Sequence, residues 1–94
     1  MTIMVIESAA DMHEHADTYL SHVVGALLRG QPEQADFYRD EATFCRGVAD
    51  AIDAGRVIPG DYRWTGAHRS FQAALLAGRL TPEAPADAGV EVAR

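Results

Sequence analysis

The 94-residue sequence contains one cysteine, no lysine, no asparagine and no long apolar run. A single thiol cannot form a disulfide within the chain, which argues against a disulfide-stabilised secreted scaffold. No apolar run reaches the ~18–20 residues that a membrane-spanning helix needs. The first residues lack the basic stretch that opens a signal peptide. We therefore expect a cytoplasmic protein that does not bind membranes.

Large apolar side chains are also scarce. Leucine, isoleucine, valine and phenylalanine together number 20, whereas alanine alone numbers 17. A domain of this length buries only roughly 60–65% of the surface that its unfolded chain exposes. The sequence therefore predicts one small domain over residues 1–94 with a modest core.

Two amphipathic segments predict an antiparallel helical hairpin over residues 8–54. The first helix spans about residues 9–29, after the N-cap Ser8, and Gly30 is suited to end it. The second helix spans about residues 32–54 and begins with Pro32, a residue favoured in the first turn. Because only two or three residues connect the helices, they should pack side by side in opposite directions.

The rest of the chain is less regular. Residues 55–80 hold a loop and a third helix at about 66–77, and residues 81–94 form a loosely structured tail. The apolar run at 2–6 and the alternating residues at 89–93 leave open a small two-stranded β element formed by the termini. The fold class is therefore mainly α.

Glu41 is unusual because its helical position places it within the apolar stripe of the second helix. A buried carboxylate must be neutralised, hydrogen-bonded or paired with a cation. In an antiparallel hairpin, Tyr19 and His22 face this position and are its expected partners. One interpretation is a carboxyl group with a perturbed pKa in a functional site. We favour a structural polar contact that fixes the register of the helices.

Histidines and carboxylates cluster at the start of the first helix. The pairs with the i, i+4 spacing of adjacent ligands are Asp11 with His15 and His13 with Asp17. Each pair supplies only two ligands, so we favour acid–imidazole contacts on a solvated face and expect neither a metal nor a cofactor. Cys45 lies on the apolar stripe of the second helix, and we expect a buried, unreactive thiol.

The net charge of −6 is unevenly distributed. Residues 1–54 carry −7, residues 55–80 carry +3, and residues 81–94 carry −2. The basic segment contains Arg63 and Arg69, and Tyr62 is expected to be exposed in its loop. We favour docking of this segment onto the hairpin through arginine–carboxylate pairs over contact with a nucleic acid.

The carboxylates that point outward predict a surface for a positively charged protein partner. The outward carboxylates of the second helix would contact this partner first, and the segment around Arg63 and Arg69 would contact it second. The expected partner-binding residues are Glu14, Asp17, Asp36, Asp40, Asp50, Asp53, Tyr62, Arg63 and Arg69. Since an acidic surface repels nucleic acid, we expect no direct nucleic-acid binding.

The sequence offers no assembled nucleophile, base and orienting group, so we expect a non-enzymatic interaction module without catalytic residues. Its composition resembles that of phage-encoded inhibitors, including anti-CRISPR proteins, some of which occupy the nucleic-acid channels of their targets. That resemblance implies a partner that handles nucleic acid, in a phage or bacterial setting.

Two other functions remain open. One is self-association as a phage or bacterial assembly or accessory protein, because small residues allow close helix packing at Ala42, Ala49, Ala73 and Ala77. The other is a small helical protein that binds a metal or ligand around His13, His15 and Glu41.

Overall fold

The computed structural model describes residues 2–85 and shows three helices and three short strands. The predicted mainly α fold, with its two-helix hairpin and short third helix, is confirmed. In chain order the elements are β1 (Thr2–Ile6), α1 (Ala9–Leu28), α2 (Pro32–Asp53), β2 (Gly60–Trp64), α3 (His68–Leu76) and β3 (Ala84–Pro85).

The ends of the hairpin helices follow from local side-chain chemistry. The Ser8 hydroxyl accepts a hydrogen bond from the backbone N–H of Asp11 at 3.2 Å, which satisfies one of the free donors of the first turn of α1. Gly30 follows the end of α1 with φ 69°, a conformation that glycine adopts without steric cost. Pro32 then opens α2 at a position where no backbone donor is needed.

The β element differs from the expectation in its partner strand. In the described chain, β1 pairs in an antiparallel register with β2, so that Met4 lies opposite Tyr62. The loop predicted before the third helix therefore contains a strand. β3 extends the other edge of β2, and residues 89–93, the strand partner considered above, lie outside the described residues.

The third helix begins at His68, two residues later than expected. The preceding Ala67 is still extended, with φ −65° and ψ 145°. Gly66 packs against the indole of Trp64 so closely that a Cβ at Gly66 would lie 2.6 Å from the indole Nε1. The backbone at Gly66 and Ala67 therefore lies against the Trp64 indole and stays extended, and the helix begins only at His68.

The hydrophobic core lies mainly at one end of an elongated molecule of 52 × 27 × 24 Å. We call this end the base; there the sheet and α3 cover the hairpin around Phe71, Val48 and Tyr62. A smaller second cluster, formed by Val23, Ala26, Ala35 and Tyr38, holds the far end, which we call the tip.

Candidate functional site

One side of the hairpin combines charged and apolar groups, and we call it the Arg46 face. On α1 it follows the spacing 13, 17, 20, 24 and 27, in steps of four and three that keep side chains on one side of a helix. On α2 it follows 36, 39, 46, 50 and 53 in the same way. The residues of this face are His13, Asp17, Leu20, Val24 and Leu27 of α1 and Asp36, Arg39, Arg46, Asp50 and Asp53 of α2.

Arg46 joins the two helices on this face. Its Nη2 donates to Oδ1 of Asp17 at 2.6 Å, and its Nη1 donates to Nδ1 of His13 at 3.0 Å. Because a guanidinium can only donate, Nδ1 of His13 is the acceptor in this contact. The expected pairing of His13 with Asp17 is thus replaced by a guanidinium that binds both groups.

The acidic end of the Arg46 face keeps uncompensated charge. Asp36 lies toward the tip and binds Arg39 of its own helix at 2.7 Å. Asp50 and Asp53 are exposed and form no ion pair with any residue in the range 2–85. This end of the face therefore attracts positive charge.

On α1, the tip end of the same face is apolar. Leu20, Val24 and Leu27 are between 41% and 60% exposed, although they continue the stripe that begins at His13 and Asp17. By helical spacing they belong to the apolar face of α1. They remain exposed because that apolar face is wider than α2 alone can cover and the sheet and α3 pack only at the base.

A cavity of about 370 Å³ lies on the opposite side of the hairpin, between β1 and the two helices. His15, Thr18 and His22 of α1 point to this side, which helical spacing places away from Leu20 and Val24. The full lining is Met4, Val5, Ile6, Met12, His15, Thr18, Tyr19, His22, Glu41, Phe44 and Cys45.

Glu41 forms part of the cavity wall, with a side chain that is 13% exposed. Its Oε1 accepts a hydrogen bond of 3.4 Å from Nε2 of Gln72 and lies 3.6 Å from Nε2 of His68. Tyr19 and His22, the expected partners, line the same cavity but donate no hydrogen bond to Glu41. The closest polar contacts come from α3, whose docking position the hairpin pattern does not specify.

The cavity disfavours charged thiolate and phenolate groups. Burial, followed by the nearby Glu41 carboxylate, raises the pKa of the Cys45 thiol from 9.0 to about 11. The same two causes, in the same order, raise the pKa of Tyr19 above 10.0. Cys45 is therefore a protonated thiol at neutral pH and a poor nucleophile.

The histidine-rich start of α1 makes protein contacts. Nε2 of His15 lies 2.6 Å from Oε1 of Glu7, which the sequence pattern had not singled out. Asp11, considered as a partner of His15, instead accepts a hydrogen bond from Ser8. Among residues 2–85, no group of three or more histidine, cysteine and carboxylate side chains is arranged to hold a metal ion.

The basic segment docks partly on the hairpin. Arg69 of α3 binds Asp40 of α2 at 3.0 Å, as the intramolecular interpretation required, whereas Arg63 binds Glu83 at 2.7 Å. The expected exposure of Tyr62 is wrong. It is 1% exposed because inward-facing residues of β2 enter the core, and its hydroxyl donates to the carbonyl of Ile58.

Glu14 is exposed on α1, close to the margin of the Arg46 face, and its backbone carbonyl accepts a hydrogen bond from Thr18. Of the expected partner-binding residues, the Arg46 face brings together Asp17, Asp36, Asp50 and Asp53. Asp40 lies with Arg69 on another side of the molecule.

Comparison with protein-family models, with curated proteins and with solved structures returned no match. None of the helices in the described chain combines the length and the apolar character that crossing a membrane requires.

Proposed function

We propose that the protein is a non-enzymatic interaction module that binds a basic surface of a protein partner through the Arg46 face. The observation that carries this proposal is the continuity of the face. On α1, exposed Leu20, Val24 and Leu27 continue from Asp17 toward the tip, and on α2 exposed Asp50 and Asp53 continue from Arg46 toward the base. Apolar patches rimmed by polar groups are typical of protein–protein interfaces.

The two ends of the face would contribute differently to binding. The apolar tip supplies area that leaves water on association, which gives most of the affinity. The carboxylates at the base select a basic partner and accelerate encounter in a salt-dependent way. In its specific form, the proposal is that the partner handles nucleic acid and that this chain inhibits it in the cytoplasm, as phage-encoded inhibitors such as anti-CRISPR proteins do.

Affinity capture from a bacterial lysate, followed by binding of the purified partner at low and high salt, tests the proposal. Replacing both Asp50 and Asp53 by Asn should weaken binding at low salt and reduce its salt dependence. Glu33→Gln is the control for the loss of a single charge, because Glu33 is exposed on α2 away from the Arg46 face.

Val24→Ser should weaken binding of the same partner at every salt concentration. Ile58→Ser, at an exposed apolar position outside the hairpin, is its control. A partner that binds the face variants and the controls with equal affinity would exclude the Arg46 face as the binding surface.

Self-association is the second candidate function. Leu28 and Phe37 are also exposed at the tip, where two helices pack without a third layer. Two such tips could bury these residues together in a four-helix bundle. Ala42 and Ala49 cannot serve this purpose, because they already pack inside the hairpin. Sedimentation across a range of concentrations decides the question, since a strict monomer excludes this function.

A further inference from the structure

The outer edge of β1 is open in the described part of the chain. The strand order is β1-β2-β3, so β1 pairs with β2 on one side only. No residue in the range 2–85 forms a backbone hydrogen bond to the other side of Thr2–Ile6. The strand has no proline or charged residue to discourage pairing, and Ile3 and Val5 are 58% and 60% exposed. Such an edge is a template for an added strand.

The cavity of about 370 Å³ borders this open edge. Met4, Val5 and Ile6 are consecutive residues whose side chains alternate between the two faces of the sheet. All three line the same cavity, which places it along the edge of β1 rather than beneath one face. A strand paired with that edge would therefore pass the cavity mouth and could insert a side chain.

The chemistry of the wall selects the side chain that would enter. Met12, Phe44 and Cys45 offer an apolar surface for an aliphatic stem. Glu41 provides a mostly buried carboxylate that accepts one long hydrogen bond of 3.4 Å from Gln72 and has Nε2 of His68 at 3.6 Å. Neither neighbour carries a permanent positive charge, so the buried carboxylate favours a cation, and arginine and lysine combine a cationic head with an aliphatic stem.

We propose that the outer edge of β1 binds an extended segment of a partner protein, and that one arginine or lysine of that segment enters the cavity and pairs with Glu41. This site lies on the opposite side of the hairpin from the Arg46 face. The two proposals can therefore be tested independently of each other.

The test is an NMR titration of the ¹⁵N-labelled full chain with a synthetic peptide of alternating threonine and valine that has arginine at its centre. We expect chemical-shift changes at the amides of Ile3, Val5 and Tyr19. The arginine peptide should bind at least about tenfold more tightly than the same peptide with norleucine, because only arginine can donate to Glu41. N-methylation of alternate peptide amides should abolish binding by removing the strand pairing.

Two protein variants locate the charge contact. Glu41→Gln should reduce the preference for arginine over norleucine to near unity, whereas Asp40→Asn should retain it. Asp40 is the matched control because it neighbours Glu41 on α2 but does not line the cavity.

Several results would overturn the proposal. In the wild-type chain these are equal binding of the arginine and norleucine peptides, undiminished binding of the N-methylated peptide, or no shift at β1. These three need no protein variant, so they hold even where Glu41→Gln fails to fold. Concentration-dependent dimerisation through β1 would assign the edge to a second copy. Nuclear Overhauser contacts between residues 2–6 and 89–93 would assign it to the chain's own tail.

Discussion

Arg46 is the side chain that ties the two long helices together across the Arg46 face. Its guanidinium binds Asp17 and His13, more than 25 residues away along the chain. The arginine and the aspartate are 42% and 71% exposed, so water and salt weaken their attraction.

We expect Arg46→Gln to lower the free energy of unfolding by about 0.5–1 kcal/mol, because a surface ion pair contributes little. The difference from wild type should shrink at high salt. Urea denaturation at two ionic strengths measures it. Arg39→Gln is the control, since Arg39 pairs only with Asp36 of its own helix, and an equal effect of the two variants would argue against an interhelical role for Arg46.

The Cys45 thiol gives a prediction about alkaline pH. Its pKa is about 11 in the folded chain against 9.0 for an unperturbed thiol, so the folded chain holds this proton more tightly. The resulting stabilisation is fully present below pH 9.0 and is lost as the pH rises through about 11. We expect the free energy of unfolding to fall across this range.

Cys45→Ala should show a smaller fall in urea denaturation over the same pH range. Some decline will remain, because burial also raises the pKa of Tyr62 above 10.0. If the free energy of unfolding falls equally in the variant and the wild type, the Cys45 thiol does not contribute to the loss of stability at alkaline pH.

At the scale of the elements, glycines after the helices give a matched pair of predictions. Gly30 after α1 and Gly78 after α3 both have positive φ, 69° and 72°. Each ends its helix with the paired backbone hydrogen bonds of a Schellman motif. A Cβ at Gly30 would meet nothing within 4 Å, whereas one at Gly78 would lie 3.1 Å from the carbonyl oxygen of Arg56.

Gly30→Ala should therefore lower the free energy of unfolding by about 1–2 kcal/mol, the cost of placing an L-residue in the left-handed region. Gly78→Ala should cost more, because the backbone of Arg56 must also move. Thermal or urea denaturation of the two variants provides the comparison. A smaller loss for Gly78→Ala than for Gly30→Ala would contradict the steric argument.

The same elements show how far sequence reasoning extends. Caps such as Ser8, Gly30 and Pro32 act on neighbouring residues, so the hairpin could be predicted from local pattern. The pairing of β2 with β1 joins residues about 60 positions apart, and no local signal specifies it. The burial of Tyr62 depends on this pairing and was therefore not predicted. The contact of Gln72 with Glu41 depends on how α3 docks on the hairpin, and no local pattern specifies that docking.

The whole molecule divides unequally between base and tip. The base surrounds the hairpin with β1, β2 and α3, whereas the tip relies on Val23, Ala26, Ala35 and Tyr38. Regions with few buried apolar contacts open at lower free energy than the global unfolding. The exposed apolar part of the Arg46 face therefore lies on the less stable half, which suits a surface that adjusts to a partner.

Hydrogen exchange should reveal this division through two core variants. Phe71→Ala removes the centre of the base, where Phe71 is fully buried, and should cost about 3–5 kcal/mol and accelerate exchange along the whole chain. Val23→Ala removes about two methyl groups from the tip cluster, worth about 1.5 kcal/mol, and should accelerate exchange mainly between Val24 and Gln34. Uniform acceleration in both variants would mean that tip and base unfold as one unit, so that a partner on the Arg46 face would stabilise the entire fold.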